Sequence, residues 1–181
     1  GDPYRPFDAG RFIARLPAPP YAFIDRVTAV EPPPWILAPG GWLTAEYDIP
    51  PQAWYFRANR SPVMPLAILM EVALQACGFL AAYLGSALQS DKPLHFRNLD
   101  GEAQVHRNVG PGDGTLTTRV RLLKAARAAD ILIEHFEFEV RCQGAPVYRG
   151  TTSFGFFTPQ ALASQVGIRP TPDHPAGVAQ G

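Results

Sequence analysis

One carboxylate stands alone in the middle of the chain. Between Arg60 and Asp91 the only charged side chain is Glu71, set in the apolar run Leu66-Ala67-Ile68-Leu69-Met70-Glu71-Val72-Ala73-Leu74-Gln75-Ala76-Cys77. A carboxylate on a buried helix is costly unless it is paired or held neutral. Burial favours the protonated acid, the form that can give up a proton near neutral pH. Gln75 follows one helical turn later on the same face, within reach of the carboxyl. The start of the same helix adds donors: the N–H groups near Leu66 and Ala67 have no intrahelical acceptor and sit at the positive end of the helix dipole, suited to polarising a carbonyl. Taken by themselves, these residues fit two readings equally, an acid–base group or a structural carboxylate satisfied by its neighbour.

Other reactive residue types are sparse. His95 and His135 fall in strand candidates, His106 beside Arg107 in a loop, and His174 in the tail, and no pair has metal-ligand spacing. The glycines from Gly110 to Gly114 do not match a phosphate loop and read as a turn. Two cysteines, Cys77 and Cys142, make no disulfide framework, and Cys77 sits in the apolar run as a small hydrophobe. No Ser, His and Asp constellation is legible.

The elements that must position Glu71 follow from hydrophobic periodicity. Pro65 to Leu88 predicts one helix, opened by a proline at its first position and apolar nearly all round, which predicts burial on every side. A membrane span is the competing reading, opposed by Glu71 and Gln75 in its centre. Before the helix, Tyr21 to Val30 predicts a helical turn and a first strand. Trp35 to Leu37 and Trp42 to Ile49 predict a hairpin closed by Pro39-Gly40-Gly41, and a short helix carries Trp54, Tyr55 and Phe56. After it come strand candidates at Leu94 to Leu99, Thr115 to Leu123, Ile131 to Val140 and Val147 to Phe157. In the third of these, Leu132, Phe136, Phe138 and Val140 share one face, with Glu134 the one exception. A helix apolar all round needs a sheet that wraps it. The expected fold is therefore α+β, a curved antiparallel sheet around one long buried helix. The expected organisation is an irregular arm over 1–20, one domain over 21–158 and a Pro/Ala/Gly-rich linker over 159–181.

The chain has 181 residues, 46% of them hydrophobic, enough for one buried core. Lys+Arg 16 against Asp+Glu 16 gives no electrostatic reason to expect nucleic acid or an anionic membrane. Arg119 and Arg121 read as the wet face of a strand. The N-terminus lacks a basic start followed by an apolar stretch, so no signal peptide is expected and the cytoplasm is the expected compartment. The loose ends and missing initiator Met fit a piece of a longer chain.

Trp54-Tyr55-Phe56, Pro62-Val63-Met64-Pro65 and Met70-Glu71-Val72-Ala73-Leu74-Gln75 together resemble the core of the FabA-like β-hydroxyacyl-acyl carrier protein dehydratases. Asp25-Arg26-Val27 resembles their first-strand segment. The segments Ala58-Asn59-Arg60-Ser61, Ile68-Leu69-Met70, Phe96-Arg97-Asn98-Leu99-Asp100-Gly101 and Phe154-Gly155-Phe156-Phe157 are similar to the tandem dehydratase region of polyunsaturated fatty acid synthases and related polyketide-type synthases. The resemblance runs from about Pro20 to Phe157 and implies the hot-dog fold. Two departures stand out. Counting from Trp54, the position of the family's histidine is held by Asn59, whose amide cannot act as a general base at neutral pH. Leu66 stands where the family has glycine.

The resemblance implies a composite site, with histidine from one hot-dog fold and Asp or Glu from its partner. This chain would supply Glu71, assisted by Gln75, to dehydrate a β-hydroxyacyl thioester, and alone it is expected to be inactive. Leu66, Ala67, Trp54, Tyr55, Phe56 and Met64 are the expected substrate-binding residues. No metal or other cofactor is required, the substrate riding on the phosphopantetheine of an acyl carrier protein. The expected partners are that carrier and a second hot-dog domain, in the same chain or a homodimer, which Val147 to Phe157 is expected to meet as a sheet edge. The alternatives are an inactive pseudo-dehydratase and a hot-dog thioesterase in which Glu71 is base or nucleophile.

Overall fold

A computed structural model of the chain describes residues 2–10, 12–128 and 131–163. Six strands form one antiparallel sheet: β1 (Arg26–Glu31), β2 (Trp42–Asp48), β3 (His95–Val105), β4 (Thr115–Ala128), β5 (Ile131–Cys142) and β6 (Ala145–Phe157). Their order across the sheet is β1-β2-β4-β5-β6-β3. The helices are α1 (Arg5–Asp8), α2 (Trp54–Asn59), α3 (Leu66–Leu84) and α4 (Pro159–Ala163). The predicted α+β, hot-dog arrangement is what the structure has: α3 lies against the inner face of β2, β4 and β5.

The inner face follows from alternation. Leu116, Thr118, Val120 and Leu122 on β4 and Leu132, Phe136, Phe138 and Val140 on β5 are buried, while Arg119 and Arg121 between them are exposed. They meet Val72, Ala73, Ala76, Cys77, Leu80 and Leu84 of α3 in one core. Full burial of a large side chain of this kind contributes about 1.5–3 kcal/mol, so this helix–sheet seam holds the fold. The helix stops at Gly85, whose φ of 89° needs a residue without a side chain and whose N–H caps Ala81 and Ala82. By length and composition α3 could cross a membrane, but half of that stretch is buried inside this fold.

Four expectations are corrected. The helix is not buried on every side: Leu66 is 54% and Met70 38% exposed, because the sheet wraps one face only. Trp35 to Leu37 is not a strand. Pro32, Pro33 and Pro34 have no N–H to give to a ladder, the N–H of Trp35 goes to Tyr83 O at 3.0 Å, and the partner of β2 on that side is β1. Tyr21 to Val30 contributes β1 without the preceding helical turn. Finally, Val147 to Phe157 is no edge. Phe154 of β6 pairs with Asn98 on one side and with Glu134 on the other, so the edges are β1 and β3. A Cβ at Gly150 would fall 2.2 Å from Glu102 O, a close approach that glycine alone allows β3 to make. Strand β3 extends well beyond the expected Leu94 to Leu99 and is exposed along most of its length. The arm contains a 3-10 turn (Asp2–Tyr4) and α1, and α4 lies at the start of the segment read as linker; residues 164–181, with His174, lie outside the described residues.

Glu134, the exception in the β5 pattern, faces inward and is 0% exposed. Ser86 Oγ lies 2.5 Å from Glu134 Oε1 and 2.8 Å from Ala81 O. One hydroxyl proton cannot serve two acceptors. Ser86 thus has a single proton for the two, and Glu134 Oε2 has no hydrogen-bond partner among the described residues. Burial accordingly raises this carboxyl from 4.5 to about 7, against the lowering effect of Ser86.

The sign follows from linkage. The unfolded chain loses this proton near pH 4.5 and the folded chain keeps it to about pH 7, so Glu134 lowers stability as pH rises across that window. The cost above the window is on the order of 3 kcal/mol. Glu134→Gln should flatten the fall in unfolding free energy between about pH 5 and about pH 8, as read from urea titrations. Equal pH slopes in the two proteins would contradict this assignment.

Candidate functional site

The path from α2 to α3 is fixed at few points. The N–H of Val63 reaches Ser61 Oγ at 3.2 Å, and the N–H of Met64 reaches Val109 O at 2.7 Å. Pro65 then begins α3, and both Ile68 and Leu69 donate back to its carbonyl. One turn into the helix stands Glu71, and one turn further Gln75.

Gln75 is 4% exposed and fully engaged. Its Oε1 accepts from Phe23 N at 2.8 Å, and its Nε2 donates to Tyr21 O at 2.9 Å and to Glu71 Oε2 at 3.0 Å. Both amide protons and the carbonyl are therefore used. Two backbone groups of the segment entering β1 orient the amide, and the amide orients the carboxyl. Glu71 Oε1 has no protein partner among the described residues. Glu71 is half-buried and borders a groove of about 700 Å³ that runs along α3. The walls include Leu74 and Gly78 of α3, Phe96 of β3, and Phe154 and Phe156 of β6. Phe96 meets Phe154 edge-on at 4.7 Å between ring centroids. Among the described residues no histidine borders this groove.

Of the other residues expected at the site, Tyr55, Phe56 and Met64 lie in the core and not on the groove, with Tyr55 and Tyr47 hydroxyls 3.1 Å apart. Trp54 is exposed and gives its indole N–H to Pro20 O at 3.0 Å. Leu66 and Ala67 are exposed at the helix start, and Asn59 is exposed at the end of α2. None of these seven borders the groove. His135 is paired through Nδ1 with Ser153 Oγ at 2.9 Å, and His95 stacks on Phe12. The groove's other polar end, Ser86 with Glu134 behind it, was missed as a site; the break in the β5 alternation was its only sequence signal. A second hollow of about 730 Å³ lies on the outer sheet face among Arg119, Arg121, Glu137 and Arg149. It is flanked by charges of both signs, Arg121 and Glu137 at 3.6 Å.

The FabA-like domain family matches residues 16–151. A polyunsaturated fatty acid synthase polypeptide of Thraustochytrium sp. is 34% identical over 131 residues, which are 71% of this chain and 9% of that protein. The chain thus spans about a tenth of the relative it matches. Among solved structures, the dehydratase heterocomplex ApeI:P of Xenorhabdus doucetiae aligns with a TM-score of 0.58 at 14% identity, over 82% of this chain and 91% of the other. AziG of S. sahachiroi aligns with a TM-score of 0.53 at 13% identity, over 80% and 99%. A thioesterase of Pseudomonas aeruginosa aligns with a TM-score of 0.50 at 14% identity, over 74% and 81%. These structures share the fold with this chain.

Gln75→Leu keeps the volume but strands the N–H of Phe23 and the carbonyl of Tyr21. An unsatisfied buried group costs about 1–3 kcal/mol. The expected loss is about 2–6 kcal/mol in unfolding free energy, measured by urea denaturation. A loss below about 1 kcal/mol would show that water or a backbone shift replaces the amide.

Proposed function

The chain belongs to the FabA-like family, and on that premise we propose that it is one half of a composite dehydratase site acting on β-hydroxyacyl thioesters carried by an acyl carrier protein. The observation that carries this reading is Glu71, held by Gln75 on the wall of an apolar groove with no histidine beside it among the described residues. The arrangement has an oriented acid and a place for an alkyl chain, and no histidine of the described residues stands there as a base. In the reaction, a base on a second hot-dog fold takes the proton from the carbon next to the thioester carbonyl. The electron pair forms the carbon–carbon double bond, the β-hydroxyl leaves, and Glu71 protonates it to water. The free N–H groups at the start of α3 are suited to the charge that develops on the thioester oxygen. Asn59, exposed at the end of α2, has no side-chain basicity to substitute for the missing histidine.

The partner fold is proposed to meet β3, the exposed edge nearest the groove, since Phe96 of this strand also lines the groove wall. An unpaired strand edge invites pairing with another chain. The second reading, a thioesterase, draws on the same observation, because a carboxylate without histidine is what a carboxylate-only hydrolase uses.

The test of the first reading is Glu71→Gln in the parent multidomain protein, with folding checked by thermal melt. Glutamine keeps shape and removes the transferable proton. Dehydration should fall about 10²–10⁴-fold. Activity within a few-fold of wild type would make this half a structural pseudo-dehydratase. Thioester hydrolysis by the isolated domain that is abolished in the same variant would favour the thioesterase. The edge is tested separately. The excised domain should sediment as a dimer, and Leu99→Lys with Val105→Lys on β3 should shift it to monomer; a wild-type domain that stays monomeric at high concentration would overturn the assignment of that edge.

A further inference from the structure

The groove has an outer wall that neither the sheet nor α3 supplies. Tyr4, Phe7, Ile13 and Leu16 of the N-terminal arm border it. The arm runs counter to α3, and its contacts step along the helix in order. Tyr21 O is held by Gln75, beside Glu71. Leu16 lies over Gly78, where an added Cβ would sit 3.2 Å from Leu16 Cδ2. Tyr4 donates its hydroxyl proton to Ala82 O. Going back toward the N-terminus along the arm is therefore going away from Glu71 along the groove. The arm is fastened lightly: Ile13 bridges Leu94, Phe12 stacks on His95 at 4.6 Å, and Tyr4 packs on Phe7 at 5.4 Å. Tyr4 and Phe7 stand outside the main core, and the arm up to residue 15 precedes the stretch that the FabA-like family matches.

The far end of the groove differs chemically from its middle. Beyond Ala82 it reaches Ser86, which is bonded to the buried Glu134, and Glu134 Oε2 has no hydrogen-bond partner among the described residues. A methylene that reaches this end meets the Ser86 side chain instead of an apolar wall. The apolar run thus has a start, at Glu71, and a stop near Ala82, whose carbonyl takes the Tyr4 hydroxyl proton. At about 1.5 Å rise per residue the two are about 16 Å apart. With C–C bonds of about 1.5 Å in a zig-zag, that length takes roughly a dozen carbons.

We propose that the N-terminal arm is a length gauge, in which Tyr4 and Phe7 set the point where an acyl chain entering beside Glu71 must end, so that this half-site selects medium-length acyl thioesters. The proposal rests on the reading of the groove as an acyl site. It assigns specificity to a segment added outside the family core. Gly78 and Ala82, one turn apart, keep the helix side of the channel low, while the arm side fixes its end.

The test is binding of straight-chain S-acyl pantetheines, from well below to well above a dozen carbons, to the full chain by calorimetry. In the wild type, affinity should rise roughly fourfold per added carbon while methylenes are being buried, peak near a dozen, then fall. In Tyr4→Ala with Phe7→Ala the peak should move to longer chains. In Ala82→Leu, a change at an exposed helix position that narrows the channel, it should move to shorter ones. A peak unchanged in both variants overturns the gauge while leaving the acyl groove standing. Absence of binding at every length overturns the acyl reading and the gauge with it.

Discussion

The geometry of the candidate site depends on one buried amide. Gln75 ties α3 to the segment that enters β1, through Phe23 N and Tyr21 O, and its remaining proton holds Glu71. A helix packed on a sheet by hydrophobic contact alone is free to rotate and slide by small amounts, because apolar contact has little directionality. Three hydrogen bonds of defined direction remove that freedom at the height where the carboxyl sits. The position of the acid in the groove is thus a consequence of how the chain arrives at its first strand.

The rest of the groove follows from the sheet covering only one face of α3. The covered face carries Val72, Ala76, Leu80 and Leu84, and the uncovered one carries Glu71, Leu74, Gly78 and Ala82. The second face is apolar enough to require a cover and small enough at Gly78 and Ala82 to leave space beneath it. The arm provides that cover, and β3, an edge of the sheet, bounds the groove beside it.

Much of this was legible in the sequence. The alternation of β4 and β5, the buried helix and the isolation of Glu71 are local patterns with direct physical causes, and Gln75 one turn on made the hydrogen bond accessible to reasoning. Other features were not local. Whether β6 lies inside the sheet or at its edge depends on its pairing with β3, a strand far away in sequence, and Val147 to Phe157 has the same composition either way. Trp35 to Leu37 looks like a strand because its residues favour one; the three preceding prolines decide otherwise. The burial of Tyr55, Phe56 and Met64 away from the groove could not be read from their apolar character, since a core and a substrate channel recruit the same residue types. The arm carries no periodic pattern, so its role appears only once α3 is seen to have an uncovered face.

Two glutamates on this fold separate the usual signs of a functional acid. Strongly perturbed carboxyls are often found at active sites, and burial raises Glu134 to about 7. Yet Glu134 is closed off behind Ser86, at the end of the groove where an alkyl terminus would arrive, with no surface to offer a reacting atom. Glu71 is half-buried on the groove wall, fixed through one oxygen and free at the other. Proton transfer requires contact before it requires a matched acidity. On the proposed reading, contact therefore favours Glu71 as the acid, while Glu134 stays shut behind Ser86.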